Sequence, residues 1–131
     1  MKEFDARRES ITVADCRKPG IPLVYVNAGF ERFSGYHRQE VLGRNCRFLQ
    51  GPGTDRAEVA RLHAAIDAGE SCTVELLNFR KNGTSFMNRL LLRPVFDRAG
   101  KPAFYIGLQS DVSQARHLEA RLVQHLESHC R

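Results

Sequence analysis

From Cys72 onward the apolar residues recur at every second position, and turn chemistry interrupts the run twice. Asn82-Gly83 tolerates the positive φ of a two-residue hairpin turn and separates residues 72–80 from residues 84–95. A second turn at 97–100 separates those from residues 102–109. Strands joined by turns this short pair antiparallel, so this part of the chain is expected to form a three-stranded meander. Ahead of it, residues 11–14 and 22–26 are β-branched runs flanking Lys18-Pro19-Gly20, which adds two strands joined by a turn.

The middle of the chain follows another rule. Phe30, Phe33, Val41 and Leu42, interrupted by Ser34-Gly35, predict two short helical pieces. After Gly51-Pro52-Gly53, Asp55 is a good N-cap, with Glu58 at capping-box spacing. The helix it starts should run to about Ala68, turn Val59, Leu62 and Ile66 inward, and stop at Gly69. Val112, Ala115, Leu118, Leu122 and Leu126 recur at steps of three and four and predict an amphipathic C-terminal helix. Its stripe could fold back on the sheet or pair with a second copy. Strands, then helices, then strands imply an α+β domain: an antiparallel sheet with helices on one face. At 131 residues one domain is expected, large enough for a core without staples.

Composition excludes several classes. No apolar run nears the ~20 residues of a membrane span, and residues 1–10 lack the apolar stretch of a signal peptide, so a cytoplasmic protein without a membrane partner is expected. Cys16, Cys46, Cys72 and Cys130 form no CxxC pair, which disfavours a metal site or disulfide scaffold. The net charge of +5 is spread along the chain, which disfavours nucleic acid as a partner.

The segment Gly43-Arg44-Asn45-Cys46-Arg47-Phe48-Leu49-Gln50-Gly51 carries the most chemistry. On a helical turn Cys46 and Gln50 share a face. Arg47 offers a fork of donors suited to a phosphate, and the amides of Asn45 and Gln50 offer donor and acceptor together. A lone cysteine is most simply a small buried hydrophobe, but the strands raise the odds of a ligand. Asn78 shares parity with Val74 and Leu76, Asn88 with Phe86, Leu90 and Leu92, and Gln109 with Tyr105 and Gly107. Three inward amides on neighbouring strands either pair with one another and the backbone or serve a bound molecule with alternating donors and acceptors.

The segments GRNCRFLQG, Thr54-Asp55 followed by a helix, LNFRKNGTSFMN and FYIGLQSD resemble a light-oxygen-voltage (LOV) photosensor domain of the PAS superfamily over about residues 10–112. The resemblance implies a five-stranded antiparallel PAS sheet with helices on one face and flanking helical segments. Residues 1–9 would be an N-terminal cap, 10–111 the flavin-binding sensor domain and 112–131 the C-terminal amphipathic helix. It further implies a blue-light photoreceptor in which Cys46 forms a reversible adduct with C4a of FMN. Asn45, Leu49, Gln50, Ile66, Leu90 and Leu92 would line the flavin, Arg47 would hold its phosphate, and Asn78 and Asn88 would bond its pyrimidine edge. Gln109 would sit near N5 and relay the signal. His63 stands where many family members carry a second phosphate-binding arginine, so FMN should be held less firmly and riboflavin or FAD partly accepted. The chain is expected not to be an enzyme and to form a homodimer through its terminal helices. About twenty residues follow the sensor core, too few for an effector domain, which fits a short LOV protein or a fragment of a larger receptor. The competing expectations are a light-insensitive PAS ligand-binding or dimerisation module, and a flavin redox protein.

Overall fold

The structure, a computed structural model, describes residues 2–5 and 7–129. In chain order it contains α1 (Lys2–Asp5), β1 (Ser10–Asp15), β2 (Leu23–Val26), α2 (Ala28–Ser34), α3 (Arg38–Val41), a 3₁₀ turn (Cys46–Leu49), α4 (Arg56–Ala68), β3 (Cys72–Phe79), β4 (Ser85–Phe96), β5 (Pro102–Asp111) and α5 (Ser113–His129). The strands form one antiparallel sheet in the order β2-β1-β5-β4-β3. The expected five-stranded α+β architecture is therefore present, with strand limits within one or two residues of those read from the pattern. Cys130 lies outside the described residues.

Pairing of β1 with β5 closes the sheet. Ser10 lies opposite Gln109 and Thr12 opposite Gly107, which brings the start of the domain against its end. On the other side, β3 is an edge strand whose free backbone groups need partners. Arg61 donates to the Thr73 carbonyl (2.7 Å), the Thr54 hydroxyl to the Leu77 carbonyl (2.6 Å), and the Glu75 N–H to Glu58 (3.2 Å). These side chains fasten α4, and the loop before it, to the sheet. They also explain a departure from the expected capping box. Asp55 does cap α4, accepting from the Ala57 N–H, but Glu58 serves Arg61 and the strand edge instead of the helix start.

Apolar residues gather in two clusters between helices and sheet. One holds Val59, Leu62, Val74, Leu76, Leu92 and Tyr105, and the other Leu23, Val26, Phe30, Val41 and Leu49. Helix α5 belongs to neither. Ser113 and Val112 bond the backbone of Met87, and Arg116 reaches Glu75, but Leu118, Leu122 and Leu126 remain 65%, 55% and 53% exposed. The stripe of α5 is therefore not folded back on this chain's own sheet. No helix among the described residues is long and apolar enough to cross a membrane.

Candidate functional site

A cavity of ≈ 350 Å³ separates the two clusters, with Leu23 and Leu49 in one wall and Leu62, Leu76, Leu92 and Tyr105 in the other. Every residue singled out from the sequence lines it: Asn45, Cys46, Arg47, Leu49, Gln50, His63, Ile66, Asn78, Asn88, Leu90, Leu92 and Gln109.

The cysteine segment enters from the loop side. Asn45 has an extended backbone and caps the 3₁₀ turn, its Oδ1 accepting from the Arg47 N–H (2.9 Å) while Nδ2 donates to the Gly20 carbonyl (2.7 Å). Its amide is thus engaged by the protein at both ends. It aims the turn and holds Gly20-Ile21, where Ile21 adopts φ 49°, a conformation a β-branched residue rarely takes. At the far end Gln50 forms an isolated bridge with Asn78 on β3. Gly51 packs against the Phe79 ring, leaving no room for a Cβ. Between these anchors Cys46 is half-buried and packs beside the Leu23–Leu49 cluster. Burial pushes its thiol up to about 12, so it carries its proton across the physiological range.

The sheet wall bears the three amides, all buried. Asn88 Nδ2 donates to Asn78 Oδ1 (2.9 Å), and Asn78 Nδ2 donates to the Leu77 carbonyl (3.1 Å). Asn88 Oδ1 has no hydrogen-bond partner among the described residues, although Asn88 is only 2% exposed. An unpaired buried carbonyl costs ~1–3 kcal/mol, so this oxygen calls for a donor from within the cavity. Gln109, by contrast, is paired at both ends with Ser10 and Thr12. Both readings of the inward amides therefore apply, pairing to Asn78 and Gln109 and an open acceptor to Asn88.

Arg47, His63 and Asp67 stand at the exposed rim. Arg47 has no ion-pair partner among the described residues, which leaves its guanidinium available to an anionic group there. The same wall includes Leu62, Leu76 and Tyr105, which the sequence reading turned inward without assigning them to a ligand, and Thr12, Ala14, Leu23 and Asp67, which it did not single out. A signal for Thr12 existed. β1 alternates with its apolar Ile11 and Val13 outward and its polar Ser10 and Thr12 inward and buried, the reverse of an ordinary surface strand.

This donor set fits a planar, amide-edged molecule with a charged tail. Its apolar walls would clasp a ring, the Asn78–Asn88 pair would meet an edge that both donates and accepts, and Arg47 would meet an anion. Among the described residues no group of three or more His, Cys, Asp or Glu side chains could hold a metal ion.

Comparison with known proteins gives a consistent assignment. The PAS domain family matches residues 8–114. A blue-light-activated histidine kinase of Rhizobium johnstonii is 46% identical over 117 residues, which is 89% of this chain and 34% of the kinase. The LOV domain of the Erythrobacter litoralis EL346 blue-light-activated histidine kinase is 43% identical, with a TM-score of 0.77 over 80% of this chain and 96% of that one. An RNA-binding light-oxygen-voltage receptor superposes with a TM-score of 0.91 at 41% identity, covering 96% of this chain and 36% of the receptor. This chain spans well under two thirds of the length of curated relatives such as these, 34% of that kinase, 12% of phototropin-2 of Oryza sativa and 49% of a blue-light photoreceptor of Listeria innocua.

Proposed function

Because the chain belongs to the LOV branch of the PAS domain family, a family of blue-light photoreceptors, we propose that it is a blue-light sensor that binds FMN in the central cavity and uses Cys46 as its photoreactive group. The observation that carries this reading is the unpaired Asn88 oxygen in the wall of a cavity that also holds the Cys46 thiol. An isoalloxazine ring offers an N–H donor between two carbonyl acceptors on its pyrimidine edge, which answers the Asn78–Asn88 pair. When bound, the flavin would supply the blue-light absorption and an electrophilic C4a carbon, with Cys46 as the residue that would provide both the sulfur and the proton.

The protein's part is positioning and exclusion of water. The Asn45 cap and the Gln50 bridge hold the 3₁₀ turn that carries the thiol. Leu49, Ile66, Leu90 and Leu92 supply apolar walls, Arg47 and His63 hold the phosphate, and Asn78 and Asn88 hold the ring edge. Burial keeps Cys46 as a thiol instead of a thiolate, which supports a sensor over a redox enzyme that needs a standing nucleophile. Gln109 answers the change at N5 with an amide that has both a donor and an acceptor end, and it turns over in the light.

In this reading residues 10–111 are the sensor core, 1–9 its N-terminal cap and 112–131 an output helix. The exposed α5 stripe supports a homodimer through the terminal helices. The test is the visible absorption of the purified protein before blue light, just after it, and during dark incubation, in wild type and Cys46→Ala. Wild type should lose its structured flavin band and recover it, and Cys46→Ala should keep the band throughout. A bound flavin that ignores light would make the domain a passive PAS module, and no bound flavin would refute the reading altogether.

A further inference from the structure

Ile21 is the only residue other than glycine with a positive φ (49°) among the described residues. A β-branched side chain crowds its own backbone in this conformation, and Pro22 adds to the strain, because the residue before a proline prefers extended backbone. Asparagine or glycine would take the same turn readily. The strained residue is also half-buried and lines the cavity.

The backbone is held on both sides of it, as such a conformation requires. Before it, the Gly20 carbonyl accepts from Asn45 Nδ2 (2.7 Å), and the Ile21 N–H donates to the Lys18 carbonyl (3.1 Å). After it, the Pro22 carbonyl accepts from the Asp15 N–H (2.9 Å), and the Leu23 N–H donates to the Arg44 carbonyl (2.8 Å). Arg17 pins the base of the turn, its guanidinium paired with Asp15 (3.0 Å) and lying 4.5 Å from the centre of the Phe104 ring. Because Asn45 also caps the 3₁₀ turn that carries Cys46, the position of Ile21 is fixed relative to the thiol.

The sheet order decides which part of a ligand Ile21 would meet. Asn78 and Asn88, on β3 and β4, face the edge of a ring that both donates and accepts. In the order β2-β1-β5-β4-β3, the opposite end of a ring held there extends towards β1 and β2. Ala14, Ile21 and Leu23 line the cavity at that end and offer it apolar side chains. The isoalloxazine ring carries two methyl groups on the edge remote from its pyrimidine, which gives these residues something apolar to cover.

We propose that Ile21 is a specificity-determining residue: its strained turn holds an apolar side chain closed over the β1–β2 end of the cavity, where it selects a ring whose far edge bears methyl groups. This rests on the flavin binding proposed above and adds to it the choice of ring. The strain destabilises the empty protein, and contact with the ring offsets it.

The test compares wild type, Ile21→Asn and Ile21→Val in the dark, by thermal melts of the flavin-free full chain and by fluorescence titration with riboflavin and with 7,8-didemethylriboflavin. Relief of the strain in Ile21→Asn should raise the melting temperature of the flavin-free protein by about 4 °C. Wild type should bind riboflavin about tenfold more tightly than the didemethyl ring, each buried methyl being worth roughly a factor of four. In Ile21→Asn that ratio should fall to about threefold, while Ile21→Val, which keeps the β-branch and the apolar surface, should stay near wild type in both measurements. An Ile21→Asn protein that melts no higher than wild type would overturn the stored strain. An unchanged ratio, with both flavins merely bound more weakly, would reduce Ile21 to a structural part of the wall and overturn the proposal while leaving the flavin reading intact. A wild type that binds neither ring would overturn the flavin reading, and the proposal with it.

Discussion

At the scale of single residues, the Cys46 thiol is the group whose environment matters most. Its ordinary value lies near 9 and burial raises it to about 12 in the folded chain. The unfolded chain loses that proton first as pH rises, so Cys46 contributes stability below pH 9 that declines as pH climbs from 9 towards 12. Thermal melts of the flavin-free protein should show this decline, and Cys46→Ala should make it shallower. An equally steep decline in the variant would mean that the thiol is not buried as described. The rim gives a second prediction. His63→Arg would add a forked donor beside Arg47 and should tighten FMN about tenfold while leaving riboflavin unchanged, because only FMN carries the phosphate. Flavin fluorescence quenching measures both affinities, and equal tightening of the two would place His63 away from the phosphate. Much of this site was legible in the chain, since strand parity alone turns Asn78, Asn88 and Gln109 inward. Their pairing was not legible. Which amide keeps an open oxygen depends on cross-strand geometry that parity does not carry.

At the scale of elements, turn chemistry made the strands readable, because Asn82-Gly83 and the 97–100 turn leave few ways to connect the alternating runs. The role of Glu58 was unreadable for the opposite reason. Its partner, the Glu75 N–H, lies 17 residues away on a strand edge that exists only once the sheet has formed. Helix α5 was half readable: its periodicity predicts the helix, and only the structure shows that the stripe leaves the domain uncovered. Leu118 and Leu122 are more than half exposed and belong to neither core cluster. The paired substitution Leu118→Glu, Leu122→Glu should therefore leave flavin binding and melting temperature nearly unchanged while converting a dimer into a monomer in sedimentation velocity. A wild type that sediments as a monomer at high concentration, in the dark and in the light, would remove the basis for that dimer.

For the whole molecule, the cavity sets the terms of stability. It separates the two clusters that would otherwise form one core, so the occupant decides how far the halves behave as a unit. A ligand that completes both walls should therefore couple strongly to folding. Flavin at a hundredfold excess over its dissociation constant adds ~2.7 kcal/mol, worth about 10 °C in melting temperature for a chain of this length. Calorimetry with increasing FMN should show a single transition moving up by about that amount. The shift should persist in Cys46→Ala, because the thiol is needed for the photoreaction and contributes little to holding the ring. It should shrink in Asn88→Leu, which removes a buried acceptor left open to the cavity. A melting temperature indifferent to FMN, or an Asn88→Leu protein that gains as much as wild type, would mean that the ring edge does not rest on the Asn78–Asn88 pair and that the cavity serves another molecule.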